Sequence, residues 1–124
     1  MIKIIEGNLF DSKADVICHQ CNCQGVMGSG VAAEVKKRYP EAFNSYRKDY
    51  ENGKLELGYV NFADINTTQT IANMCAQDNY GYNGALYTDY DALKTCFRQV
   101  TLYAFMKYAF METGDFHKPT IALP

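Results

Sequence analysis

Cys18-His19-Gln20-Cys21-Asn22-Cys23-Gln24-Gly25-Val26-Met27-Gly28-Ser29-Gly30-Val31 decides the reading of this chain, because an apolar strand there runs into a polar, glycine-rich turn that opens a helix. Gly28 and Gly30 carry no Cβ, so the backbone can turn sharply and approach a ligand, and the first N–H groups of the following helix have no intrahelical acceptor. Anions favour that position. The same residue types also build ordinary strand-to-helix connections, so the turn reads either as a phosphate cradle or as plain turn chemistry.

Outward from this stretch, strands and helices alternate. Residues 2–6 read as a strand, residues 7–13 as a turn-rich connection and residues 15–19 as a short β-branched strand. The helix after Gly30 puts Val31, Val35 and Tyr39 on one face and stops at Pro40, which starts a second helix carrying Phe43, Tyr46 and Tyr50. Residues 58–63 and 70–76 are two further strands. Residues 78–87 form a glycine- and tyrosine-rich loop, followed by a long helix over residues 89–113 with Leu93, Phe97, Val100, Ala104 and Tyr108 at helical spacing and Gly114 as terminator. Residues 119–124 read as one more buried strand.

A chain of 124 residues makes one domain over residues 1–124 with a real core. The net charge of −2 and a pI near 5.6 give no general attraction to nucleic acid or to an anionic membrane, so a small ligand is the expected partner. The N-terminal apolar run is too short for a signal peptide, and none approaches the roughly 20 residues that span a bilayer. A cytoplasmic location is expected. Five cysteines without an export signal argue for reduced thiols. Cys18, Cys21 and Cys23 beside His19 raise zinc as one alternative and packed thiols as the other. On a strand, Cys21 and Cys23 share one face and Cys18 takes the opposite one.

Alternating strands and helices predict an α/β fold: three layers, α/β/α, around a mostly parallel or mixed sheet. Ligands sit at the carboxyl ends of strands in such folds. Asn8, the segment from Asn22 to Val31 and the segment from Gln77 to Tyr82 all fall at strand ends, which favours the phosphate cradle over plain turn chemistry.

Gly7-Asn8-Leu9, the strand ending His19-Gln20-Cys21-Asn22, and Gly28-Ser29-Gly30-Val31-Ala32 resemble the macrodomain pattern. The likeness is greatest to the branch of ADP-ribose 1″-phosphate phosphatases, through His19-Gln20-Cys21-Asn22-Cys23-Gln24-Gly25 and Arg38-Tyr39-Pro40. Ala72-Asn73-Met74 and Gln77-Asp78-Asn79-Tyr80-Gly81 add support. The resemblance implies a cleft for ADP-ribose or ADP-ribose 1″-phosphate, free or linked to a protein, with no cofactor and no metal. It places Gly7, Asn8 and Leu9 at the base, with Asn8 where the family usually has aspartate. Asn22 falls at the distal ribose and Met27, Gly28, Ser29, Gly30 and Val31 at the diphosphate, while Gln20 and Cys21, with Gln77 and Asp78 on the neighbouring loop, complete the implied ligand-binding set.

His19 and Asn22 are the catalytic candidates that the resemblance offers, for phosphatase or ADP-ribosyl hydrolase chemistry, against a non-catalytic reader of ADP-ribose or an inactive fragment as the alternative. An imidazole near neutral pKa can protonate a leaving oxygen, and a histidine at a strand end can equally hold a structural hydrogen bond. Asp78 reads as a water-positioning carboxylate or a turn cap. Tyr80, Tyr82 and Tyr87 read as a stacking surface or as padding for the long helix. His117 and Lys118 receive no role. The family pattern continues, after a strand ending Leu-Pro, with a second glycine-rich loop, whereas this sequence stops at Pro124. A C-terminally incomplete domain is therefore expected, with a dimer through that edge, a swapped arrangement or a poorly soluble monomer as its outcome.

Overall fold

The computed structural model describes residues 7–78, 88–110, 114 and 116–124. After a 3-10 turn at Leu9–Asp11 come strand β1 (Val16–Asn22), helices α1 (Gly30–Arg38) and α2 (Pro40–Glu51), strands β2 (Val60–Asp64) and β3 (Thr70–Gln77), helix α3 (Tyr90–Tyr108) and strand β4 (Ile121–Ala122). The expected strand over residues 2–6 lies outside the described residues, as does the tyrosine loop beyond Asp78.

The sheet has the order β2-β3-β1-β4, with β1 parallel to both β3 and β4 and β2 antiparallel to β3. It is mixed and covered on both sides. Side chains alternate across a strand, so Ile17 and Cys21 of β1 and Ile71 and Cys75 of β3 pack with Val35, Ala42 and Tyr46 of the α1/α2 layer. Val16 and Cys18 of β1, with Ala72 and Met74 of β3, pack on the other face against Cys96, Val100, Ala104 and Tyr108 of α3. This is the three-layer α/β/α arrangement, and it puts Cys18 on the opposite side from Cys21 and Cys23.

β1 runs three residues past the expected end at residue 19. The polar residues at this end of the strand find partners inside the fold: His19 on Asn73, and Gln20 on Gln77 and Thr88. The register with β3 shifts only between Cys21 and Asn22, where Asn22 pairs with Gln77. Pro40 separates α1 from α2, since the residue before proline is pushed out of the helical region, and Tyr39 accordingly sits at φ −132°.

α3 is shorter than the spacing predicts. Asp89 caps its start by accepting from the Ala92 N–H at 2.9 Å, but the helix ends at Tyr108, and Gly114 closes a later turn on the Phe110 carbonyl. The segment expected as a buried strand over residues 119–124 contains only two strand residues. Ile121 and Leu123 there are 38% and 53% exposed, because the segment pairs only with Val16 and Ile17, and Pro119 and Pro124 lack the N–H that a longer ladder needs.

Candidate functional site

The turn after β1 is built from Asn22 outward. Its side-chain Nδ2 donates to the Val26 carbonyl at 2.8 Å, while Oδ1 accepts from the Gln24 and Val26 N–H groups and from the Tyr46 hydroxyl. That hydroxyl lies 2.7 Å from the Asn22 carbonyl as well, so α2 grips the strand end from below. Gly25 turns the loop at φ +75° against the Tyr50 ring, and its carbonyl accepts from Arg47. The carbonyl of Asp78 accepts from the Cys23 N–H and the Gln24 side chain, which ties the turns after β1 and β3 together.

This frame leaves a row of donors unused. Among the described residues, the amides of Met27, Gly28, Ser29, Gly30, Val31 and Ala32 meet no acceptor, and Ser29 makes no side-chain cap at the start of α1. Gly30 opens the helix at φ +59°, a region that favours glycine, whereas Gly28 has an ordinary φ. Beside these amides lies a cavity of about 530 Å³ at the carboxyl ends of β1 and β3. Gln20, Cys21, Asn22, Gly28, Ser29, Val31 and Gln77, all singled out from the sequence, line it.

Other expected site residues stand elsewhere. Met27 is buried in the α1/α2 core, Gly30 is exposed at the helix start, and Asp78 contributes its carbonyl to the loop frame. Gly7, Asn8 and Leu9 do not border the cavity; the Asn8 side chain accepts from the Phe10 N–H and caps the 3-10 turn, and Leu9 packs against the core. His19 stands apart from the cavity, in the structural hydrogen bond that was its alternative reading. Its ring is fully buried on the α2 side of the sheet, 2.5 Å from Asn73 Oδ1, and burial lowers its pKa to about 4, outweighing the opposing hydrogen bond. It is neutral at pH 7 and outside the cavity lining. Asn22 does border the cavity, but its amide is engaged in holding the loop.

The cavity wall opposite the amides comes from Met74, Leu93, Phe97 and Leu123. In the sequence Leu93 and Phe97 stand out only as part of the helical apolar stripe of residues 89–113. A helix face that closes a cavity has the same spacing as one that closes a core, so no local signal separates them. No charged side chain is among the described lining residues. All five cysteines are buried free thiols, and burial lifts Cys18 to about 12 and Cys96 to about 11. Among the described residues no cluster of three or more histidine, cysteine or acidic side chains is placed to hold a metal.

No protein-family model matches the chain. Over 64 residues it is 36% identical to a DNA ADP-ribosyl glycohydrolase of Mycobacterium tuberculosis, covering 52% of this chain and 18% of that protein. Over another alignment of 64 residues it is 38% identical to an ADP-ribose 1″-phosphate phosphatase of Aspergillus oryzae, covering 51% and 32%. The chain thus spans less than a third of the length of these two relatives.

Among solved structures, a protein of unknown function from Bacteroides thetaiotaomicron superposes with a TM-score of 0.79 at 27% identity, over 97% of this chain and 74% of that one. The macrodomain of Mycobacterium tuberculosis DarG gives 0.72 at 24% identity, over 86% and 69%. Thermosipho africanus DarTG, solved in complex with ADP-ribose, gives 0.71 at 18% identity, over 96% and 31%. Sheet order, the strand-turn-helix arrangement and these likenesses together give the chain the macrodomain fold.

Proposed function

We propose that this chain binds ADP-ribose, free or linked to a protein, and seats the diphosphate on the backbone amides of residues 27–32. The observation that carries the reading is the row of unpaired amides beside a cavity of about 530 Å³, a size that suits a nucleotide-sugar ligand. With no cation in the described lining, the phosphate charge meets amide dipoles and the positive end of α1. Gln20, Ser29 and Gln77 supply polar groups for sugar hydroxyls, and Leu93 and Phe97 supply an apolar wall.

A second reading, removal of phosphate from ADP-ribose 1″-phosphate or cleavage of an ADP-ribosyl bond, is favoured by the activities of the aligned relatives. It works without His19 as proton donor, since that ring is neutral and sealed from the cavity.

Titration calorimetry with ADP-ribose tests the proposal. The native chain binds one equivalent, and Gly28→Glu, which puts a carboxylate at the cradle where a Cβ meets only Val26 Cγ1 at 3.6 Å, weakens binding at least tenfold. Absence of binding by the native chain, or equal binding by the variant, overturns it. Phosphate release from ADP-ribose 1″-phosphate by the native chain separates the hydrolytic reading from simple capture.

A further inference from the structure

α3 is apolar on two sides. Cys96, Val100, Ala104 and Tyr108 form the buried stripe against the sheet. Leu102, Phe105 and Met106, together with Phe110 just past its end and Phe116, face outward and are between 43% and 79% exposed. They form one patch: the Phe116 ring lies 6.2 Å from Phe105 and 5.7 Å from Phe110. Single exposed apolar side chains need no explanation, whereas a ring cluster of Phe105, Phe116 and Phe110 beside Leu102 and Met106 on the same helix face marks an interaction surface.

We propose that this outward face of α3 is a two-fold interface with a second copy of the chain. Aromatic side chains cover on the order of 150–250 Å² each when buried, so the three phenylalanines, with Leu102 and Met106 counted near the lower figure, leave roughly 500 Å² of apolar surface uncovered on one protomer. Two such faces brought together bury about 1,000 Å², the lower bound of a specific interface, before any rim is counted.

Charge placement selects the same arrangement. Lys94 and Arg98 are exposed on the N-terminal half of α3, flanking a shallow groove whose floor includes Phe97, Leu102 and Phe105. In an antiparallel pair crossing near Leu102 and Phe105, these cations approach the C-terminal end of the partner's α3, where the last carbonyls form the negative end of the helix dipole and Lys107 is already paired with the half-exposed Asp64. A parallel pair would set the two sets of cations against each other. The interface lies on the helix face and leaves the β4 edge free.

Sedimentation equilibrium of the 124-residue chain over a micromolar concentration series tests this. The native chain reaches twice the 14.0-kDa protomer mass, and Met106→Glu and Leu102→Glu each sediment as protomers with unchanged far-ultraviolet circular dichroism. Both side chains are more than 60% exposed, so the charge enters no core. A native chain that stays at protomer mass, or that forms only large aggregates without a discrete dimer, overturns the proposal. So does a dimer that survives both substitutions.

Discussion

His19 Nε2 lies 2.5 Å from Asn73 Oδ1, with both side chains fully removed from solvent. Because the amide oxygen can only accept, the ring carries its proton on Nε2. Asn73 passes the pairing on: its Nδ2 donates to Asn61 Oδ1 at 2.9 Å and to the Ala42 carbonyl, and Asn61 Nδ2 donates to Asp49 Oδ2 at 2.7 Å and to Ser45. A line of side chains therefore connects the middle of β1 to the flank of α2. Each buried polar group in it has a partner, as a low-dielectric interior demands.

Acid should act on this line first. With the folded His19 pKa at about 4 and an unfolded value near 6.5, the unfolded chain binds more protons in that interval. The contribution is complete above pH 6.5 and is lost as pH falls toward 4, amounting to roughly 3 kcal/mol. Urea unfolding at pH 7.0 and 4.5 measures it. His19→Gln, which cannot titrate, has a smaller fall over the same interval, and an equal fall in both proteins would remove His19 as the cause.

The turn after β1 depends on one amide. Asn22→Ala removes the acceptor of the Gln24 and Val26 N–H groups and the donor to the Val26 carbonyl, while Tyr46 keeps the Asn22 backbone carbonyl. The expected cost is about 2 kcal/mol of stability, with faster hydrogen exchange at Gln24 and Val26 and weaker ADP-ribose binding. Unchanged exchange at these two amides would show that the loop is held by something other than this side chain.

Two glycines separate backbone strain from steric fit. Gly25 and Gly53 sit at φ +75° and +72°, but a Cβ at Gly25 would lie 2.7 Å from Tyr50 Cγ, whereas one at Gly53 meets nothing within 4 Å. Gly53→Ala is expected to cost about 1 kcal/mol, the left-handed penalty alone. Gly25→Ala costs more by about 1 to 2 kcal/mol, because the ring or the loop must shift. Thermal denaturation of the two variants side by side measures the difference, and equal losses would mean that Tyr50 moves aside freely.

The layers of the fold were legible because they depend on periodicity. The stripe Val100, Ala104 and Tyr108, the break at Tyr39-Pro40 and the alternation of Ile17, Cys18 and Cys21 each follow from side-chain direction within one element, and the structure keeps all three. The glycine-rich turn was legible for the same reason: missing Cβ atoms and a helix start are local facts. Periodicity alone did not carry β1 through Asn22 or end α3 at Tyr108, since the first needs partners on β3 and nothing in the sequence between Tyr108 and Gly114 breaks the helical spacing.

Sequence alone determined that a strand, a glycine-rich turn and a helix N-terminus follow one another, and that a row of backbone donors lies there without intrahelical acceptors. Only the tertiary structure decided which polar side chains face that turn. A two-residue period sends His19 to the α2 side, where Asn73 and Asn61 receive it, and sends Gln20 to the other side, where it borders the cavity with Gln77. Neighbouring residues of one motif thus reach opposite faces of the sheet, and what each meets there is set by elements more than fifty residues away in the chain.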